Sequence, residues 1–367
     1  MQIDKKILKA DECAAYDLRS LYRRFGYSRY KMSKFEEYAL YIRNKDFLVS
    51  DGIISFTDTN GRLLALKPDV TLSIINNSKD IEGHVQKLYY DENVYRISRS
   101  SGSYKEIKQI GLECIGDIED SDLCETVMLA IRSLEKISDE YFFEISHVGV
   151  LEAVFEEISL DAVVEKKVLD CISRKSADEL DCVCAENGIS DVDKKKIRVF
   201  IQNFITLDSV KRALLPVCTG ESSFSQYTEL CMVLDFLSGY GLGGKVRVDF
   251  SLTNDMSYYS GVAFKGYIKD IPVSVLSGGQ YDKLMQNMGR RSGAVGFAVY
   301  LDALERYNFE EKEYDVDIIL LHNGNVSAAL KTAEELSSDG MSVRVCARVP
   351  DGVTYRRVVS MTGEVEK

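Results

Sequence analysis

The sequence has only three histidines, His84, His147 and His322, and they lie far apart along the chain. That separation argues against a histidine-based metal site and against a Ser-His-Asp triad. None of the nine cysteines forms a Cys-x-x-Cys, and Cys182-x-Cys184 has no second pair at metal-ligand spacing. Free, mostly buried thiols in a reducing compartment are expected instead. No apolar run is long enough to span a bilayer. The opening residues, MQIDKKILKADECAAYDLRSLYRRFGY, are charged and lack the apolar segment of a signal peptide. These absences predict a cytoplasmic protein with no metal and no cofactor. Positive charge is in deficit too: 46 Lys and Arg face 58 Asp and Glu, for a net charge of −12. That balance does not suit non-specific binding to phosphate backbones, while it offers an acidic surface to a partner with basic patches. There is no internal repeat and no low-complexity tract.

What is present fits a globular protein. The 367 residues suffice for two or three domains, and 45% hydrophobic with 28% charged residues is an ordinary folded composition. The most patterned stretch is 246–304. Val246, Val248, Phe250 and Leu252 alternate with polar residues, as on a half-buried strand. Val262 and Phe264 repeat the alternation, as do Ile271, Val273 and Val275, whereas Phe297, Leu301 and Leu304 fall at helical spacing. Between strand and helix, Ser277-Gly278-Gly279-Gln280-Tyr281-Asp282 reads as a turn where the backbone comes close to a ligand or a neighbouring strand. Tyr258 and Tyr259 are either core tyrosines or suppliers of ring faces and hydroxyls to a pocket.

In chain order, residues 9–26 read as an amphipathic helix with Leu18, Tyr22 and Phe25 on one face. Residues 34–48 are a short helix or an extended segment. Phe47 to Thr57 and Arg62 to Leu66 predict a hairpin around Asp58-Thr59-Asn60-Gly61, with Asn-Gly as a two-residue turn. Pro68 is suited to the first turn of a helix, which puts Asp69 and Thr71 near its N-terminus, either as caps or facing a pocket and an ammonium group. QKLYY and NVYRIS read as strands. In YKEIKQIGLECIG, Gln109, Gly111 and Glu113 share one face: a solvated sheet surface, or a recess floored by Gly111 for a small polar ligand. Arg96 adds positive charge nearby. Residues 121–138 repeat Leu123, Val127, Ala130, Leu134 and Ile137 at helical spacing, and YFFEISHVGV is a strand. From about 150 to 238 the pattern is helical throughout, which suggests an inserted subdomain. The last segment, 314–367, spells strand, helix, strand, a βαβ unit with parallel strands.

Five motifs in this order resemble the histidyl-tRNA synthetase family, which includes a paralogous regulatory subunit of ATP phosphoribosyltransferase. They are Leu66-Lys67-Pro68-Asp69-Val70-Thr71; Val94-Tyr95-Arg96 with the return strand to Gly116; Ser257-Tyr258-Tyr259-Ser260-Gly261-Val262; Gly278-Gly279-Gln280-Tyr281-Asp282; and Ala294-Val295-Gly296-Phe297-Ala298. The resemblance implies an α+β fold of the class II aminoacyl-tRNA synthetase type. Its antiparallel sheet is flanked by helices in a core domain of residues 1–306, with the helical insertion at 150–238. A short C-terminal α/β segment follows at 314–367.

The resemblance also implies that Asp69, Thr71, Gln109, Glu113, Tyr258, Tyr259 and Tyr281 bind histidine, and that Arg96 could contact phosphate or nucleotide. It implies losses as well. Asn254 and Ala303 stand where synthetases carry arginines, Ser98 replaces an acid of motif 2, and Ser33 replaces the motif 1 proline. Two missing cations at one phosphate-transfer site should leave adenylate formation negligible. The resemblance therefore points to a non-catalytic subunit that binds histidine and the short-form catalytic subunit of ATP phosphoribosyltransferase, in the first step of histidine biosynthesis. A homodimer within a hetero-oligomer is expected, and tRNA binding is not. The alternatives are a divergent histidine–tRNA ligase and a free-standing amino-acid-binding paralogue.

Overall fold

The computed structural model describes residues 8–48, 52–79, 81–98, 102–204, 206–252, 258–305, 314–338, 340–361 and 363–365. The chain divides into two compact units, Met1–Asn308 and Phe309–Lys367.

Helix α1 (Ala10–Arg24) has Asp11 and Glu12 in its first turn and Arg23 and Arg24 in its last, charges that complement the helix dipole. Ala14, Ala15, Leu18 and Tyr22 form its buried stripe. Phe25 does not join them. It lies past the last turn, off the stripe, and is 39% exposed. A two-residue strand β1 (Ser28–Arg29) follows, then β2 (Phe35–Glu37) and α2 (Tyr38–Arg43), so the ambiguous 34–48 stretch is part strand and part helix.

Strands β3 (Ser55–Thr57) and β4 (Leu63–Leu66) pair antiparallel, with β2 on the other side of β4. Their connection is wider than an Asn-Gly turn. Thr57 stands opposite Leu63, and the carboxylate of Asp58 accepts the backbone N–H groups of Asn60 and Arg62, each at 2.8 Å. The aspartate side chain thus closes a longer loop than two residues could. Phe47 lies outside the hairpin, in a single 3-10 turn. Helix α3 spans Thr71–Asn77.

The centre of the first unit is β5 (Val85–Ile97) against β6 (Tyr104–Gly116), each 13 residues long and in register from Val85–Gly116 to Ile97–Tyr104. QKLYY and NVYRIS are one continuous strand. Then come α4 (Asp120–Ile137) and β7 (Tyr141–His147); the strand stops at His147, whose side chain caps α5 (Val148–Ile158). The helical block continues through α6 (Ala162–Ser173), α7 (Ala177–Glu186), α8 (Asp191–Arg198), α9 (Leu207–Leu214) and α10 (Glu221–Gly239). β8 (Val246–Val248) is shorter than its alternation suggested, because the chain turns at Phe250.

The last third of this unit departs most from its pattern. β9 is Val262–Ile268, β10 is Leu276–Gln280, α11 is Asp282–Asn287, β11 is Gly293–Tyr300 and α12 is Leu301–Glu305. Ile271, Val273 and Val275 precede the strand, and Ser277-Gly278-Gly279-Gln280 is the strand itself. A Cβ on Gly278 would lie 2.4 Å from the carbonyl oxygen of Gly296 and 2.7 Å from the ring of Phe264. Those glycines allow close strand packing rather than a turn. Phe297 is on a strand, not a helix. β11 is covered on both faces, and a buried strand reads as an apolar run with no period of two.

The strands assemble as β1-β5-β6-β11-β10-β9-β7-β8. The six central strands pair antiparallel, while β1 on β5 and β8 on β7 are parallel. One face packs on α1 and α4: Tyr22 meets the Phe297 ring edge-on at 5.9 Å, and its hydroxyl lies 2.9 Å from Ser133 Oγ. The helical block extends the same apolar core. The other face carries a second core built from Tyr41, Val70, Leu72, Ile74, Tyr281 and Leu284, which seats β4, α3 and α11.

In the second unit, β12 (Val316–Leu321), α13 (Val326–Ser338) and β13 (Val343–Cys346) form the expected βαβ, with β12 and β13 parallel. Two strands absent from the sequence reading complete the sheet. β14 (Tyr355–Ser360) runs parallel to β12, and β15 (Gly363–Val365) pairs antiparallel with β14. All nine cysteines are free. Cys182 is exposed, and Cys13, Cys231 and Cys346 are half-buried. No described helix is long and apolar enough to cross a membrane.

Candidate functional site

A cavity of about 510 Å³ opens on the face of the sheet opposite α1 and α4. Its floor follows from strand register. Gln109, Gly111 and Glu113 on β6 stand opposite Tyr300, Ala298 and Gly296 on β11, and all of these but Gly111 line the cavity. Gly111 does not leave an open recess. A Cβ there would be 2.5 Å from the Tyr90 hydroxyl and 2.1 Å from the Phe297 carbonyl oxygen, so the Tyr90 side chain occupies that space.

One wall comes from the segment that leaves β4. Lys67 is fully buried, and its ammonium donates to Glu92 at 2.9 Å, which ties this segment to β5. Pro68 precedes α3 rather than opening it. Asp69 Oδ1 accepts the backbone N–H of Leu72 at 2.9 Å, so the carboxylate both caps α3 and faces the cavity. Burial raises the pKa of Asp69, against the opposing pull of the Arg96 charge and of the N–H groups of Leu72 and Thr71. Arg96 donates through Nε to the carbonyl of Pro68 at 2.9 Å, which holds the loop over β5.

Glu113 sits at the centre. Thr71 Oγ1 donates to its Oε1 at 2.7 Å, and the Tyr281 hydroxyl donates to its Oε2. Burial pushes its pKa up to about 8, the two hydroxyl donors oppose the shift, and the nearby Asp69 charge adds to it. The shift favours the protonated form of Glu113 when no cation is bound beside it. The third wall is aromatic. Tyr258 packs against Tyr259 with ring centroids 5.0 Å apart and against Tyr281 at 5.9 Å. Burial, then the carboxylates beside them, keeps Tyr258 and Tyr281 neutral hydroxyl donors far above their ordinary range.

All eight residues singled out in the sequence, Asp69, Thr71, Arg96, Gln109, Glu113, Tyr258, Tyr259 and Tyr281, line this one cavity. Ala303, where the resemblance places an arginine, is a buried residue of α12. Asn254 and Ser257 lie outside the described residues. Several lining residues escaped the sequence reading: Tyr90, Lys265, Ser274 and Tyr300. Lys265 was legible in part, since the alternation after Val262 puts it on the face opposite Phe264. The others depend on register with distant strands. Among the described residues, no group of three or more His, Cys, Asp or Glu is arranged to hold a metal ion.

The arrangement offers carboxylates, hydroxyls and ring faces for one small cationic and aromatic molecule, with cations at its margins. Among known proteins, the chain is 26% identical over 341 residues to the ATP phosphoribosyltransferase regulatory subunit of Clostridium kluyveri, across 89% of this chain and 87% of that one. Its fold matches the crystal structure of an ATP phosphoribosyltransferase regulatory subunit/histidyl-tRNA synthetase from Bacillus halodurans. There the TM-score is 0.75 at 24% identity, over 98% of this chain and 96% of the other. It also matches a chain of the ATP phosphoribosyl transferase HisG:HisZ complex from Thermotoga maritima, with a TM-score of 0.61 at 20% identity, over 82% and 97% of the two chains. The family model of histidyl-tRNA synthetase covers residues 5–304, and the chain belongs to that family.

Proposed function

We propose that this chain is a regulatory subunit of ATP phosphoribosyltransferase that binds histidine and does not activate it. One observation carries the reading. The cavity gathers every side chain suited to an amino acid with an imidazole ring, while the α12 position expected to grip a nucleotide phosphate is the buried Ala303. Glu113 faces the imidazole N–H, Asp69 and Thr71 face the ammonium group, and the tyrosines enclose the ring. The name of the Clostridium kluyveri relative and the presence of a similar chain in the Thermotoga maritima complex support a catalytic subunit of ATP phosphoribosyltransferase as the partner, taken to be of the short form. For histidine to regulate that partner, its affinity must differ between the active and inactive assemblies. The subunit is taken to be a homodimer within that hetero-oligomer, in the cytoplasm.

Two measurements test this. Histidine-dependent exchange of pyrophosphate into ATP should be absent, and the purified chain should activate a short-form ATP phosphoribosyltransferase from the same cell. Robust exchange would instead identify a histidine–tRNA ligase, the reading favoured by the retained Arg96. Histidine binding with neither exchange nor activation would leave a free-standing amino-acid-binding protein.

A further inference from the structure

The histidine contacts proposed above leave one side of the cavity unused. Lys265 on β9 lines it, together with Ser274, Ser277 and Tyr300. Lys265 stands opposite Ser277 of β10, which stands opposite Ala298 of β11, which stands opposite Gly111 of β6. Directly opposed residues project from the same face, so the lysine shares the cavity floor. The next row, Ala263, Gly279, Gly296 and Glu113, lies two residues along. Between β9 and β6 there are three strand steps, about 14 Å at the usual spacing. The Lys265 and Glu113 side chains line the same cavity from the two ends of that span.

The cations of the cavity differ in what they face. Arg96, on β5, is four strands from β9. Its Nε is engaged by the Pro68 carbonyl, and its charge lies beside the buried Asp69 carboxylate. Lys265 lies on the opposite flank, away from Asp69, where Ser277 Oγ and the Tyr300 hydroxyl are 2.7 Å apart beside it. Its neighbour in register on β7 is Glu144, a partly buried carboxyl whose charged form is favoured by a hydrogen bond from Tyr267 and by the charges of Lys175 and Lys265. An amino acid brings a cation and an anion together. Its ammonium group belongs at Asp69, and its carboxylate needs positive charge on the side away from Asp69 and Glu113.

We propose that Lys265 is the residue that recognises the carboxylate of the bound amino acid, with the Ser277 and Tyr300 hydroxyls as its neutral companions. This rests on the reading of the cavity as an amino-acid site and assigns the ligand end which that reading left without a cation.

Calorimetry on the full chain tests it with two probes, histidine and histamine, which lacks only the carboxylate. The wild type should bind histidine at least tenfold more tightly than histamine. Lys265→Met should weaken histidine by tenfold or more, leave histamine unchanged and so erase the preference; Lys265→Arg should retain most of it. Equal losses for both probes would make Lys265 merely structural and overturn the assignment. So would an unchanged histidine affinity in Lys265→Met, or a loss of the preference in Arg96→Gln alone. A wild type that binds neither probe would overturn the amino-acid reading itself.

Discussion

Replacing Glu113 by alanine should weaken histidine binding by at least a hundredfold, from an affinity measurable by calorimetry to one near its limit. A hydrogen bond to a charged group contributes about 1.5–3 kcal/mol, and a hundredfold loss corresponds to about 2.7 kcal/mol. The substitution also strands two donors, the hydroxyls of Thr71 and Tyr281, in a buried place. Unchanged affinity would mean that the ligand sits elsewhere.

The protonation of Glu113 adds a sharper signature. The empty site holds this carboxyl with a pKa of about 8, and a free imidazole titrates near 6.5. Between those values the site brings one proton and the ring none, and the complex keeps that one proton between carboxylate and ring. Affinity should therefore be level in this window. Above pH 8 the empty site has lost the proton that the complex needs, so affinity falls. Below about 6.5 the ligand brings an extra proton that must leave, so affinity falls again. Glu113→Gln has no proton to lose, so its alkaline decline should vanish while the acid decline stays. An alkaline decline that is the same in both proteins would remove Glu113 from the site.

Stability carries the opposite test. A carboxyl whose folded pKa is raised keeps its proton in the native state after the unfolded chain has released it. Its contribution to stability is therefore full below the unfolded value, near 4.5, and is lost as pH rises toward 8. Thermal unfolding at pH 5 and pH 8 should show a smaller difference in Glu113→Gln than in the wild type.

Gly111→Ala should cost about 2–3 kcal/mol of stability, the upper range for overpacking a core by one methyl group. The added carbon would stand 2.1 Å from the Phe297 carbonyl oxygen and 2.5 Å from the Tyr90 hydroxyl. The first of these atoms is backbone on β11, and β6 is held between β5 and β11 along most of its length. Neither neighbour can withdraw without breaking its own ladder. Urea denaturation followed by circular dichroism measures the loss, and histidine titration should show the floor of the cavity distorted as well. A midpoint within error of the wild type would mean that the strands are not as close as described.

The residues most legible in the sequence were those whose role is local. The stripe of α4 follows from Leu123, Val127 and Leu134 alone, and the helical character of 150–238 follows from the same periodicity. Gln109 and Glu113 were legible because alternation fixes their shared face. What joined them to Asp69, Thr71 and the tyrosines was the order of the family motifs, not periodicity. The misreadings arose where neighbours decide. Phe297 fits a helical spacing until β11 is found buried on both faces, and Ser277 to Gln280 fit a turn until β9 and β11 close on them. Tyr300 enters the cavity through its register with Gln109, a pairing between segments far apart in the sequence.

The position of β11 has a further consequence for how the protein is made. This strand comes last among those of its sheet, yet it fills the gap between β6 and β10. Until it leaves the ribosome, the inner edge of β6 has no partner, and Tyr281 has no finished floor to close upon. Roughly 180 residues separate the end of β6 from the start of β11, and at typical elongation rates that takes about 10–35 s. Throughout that interval the nascent chain exposes the strand edge of Gln109–Gly116, flanked by apolar side chains. The vulnerable period of this protein is its synthesis, and it ends when Gly293–Tyr300 slides into the sheet.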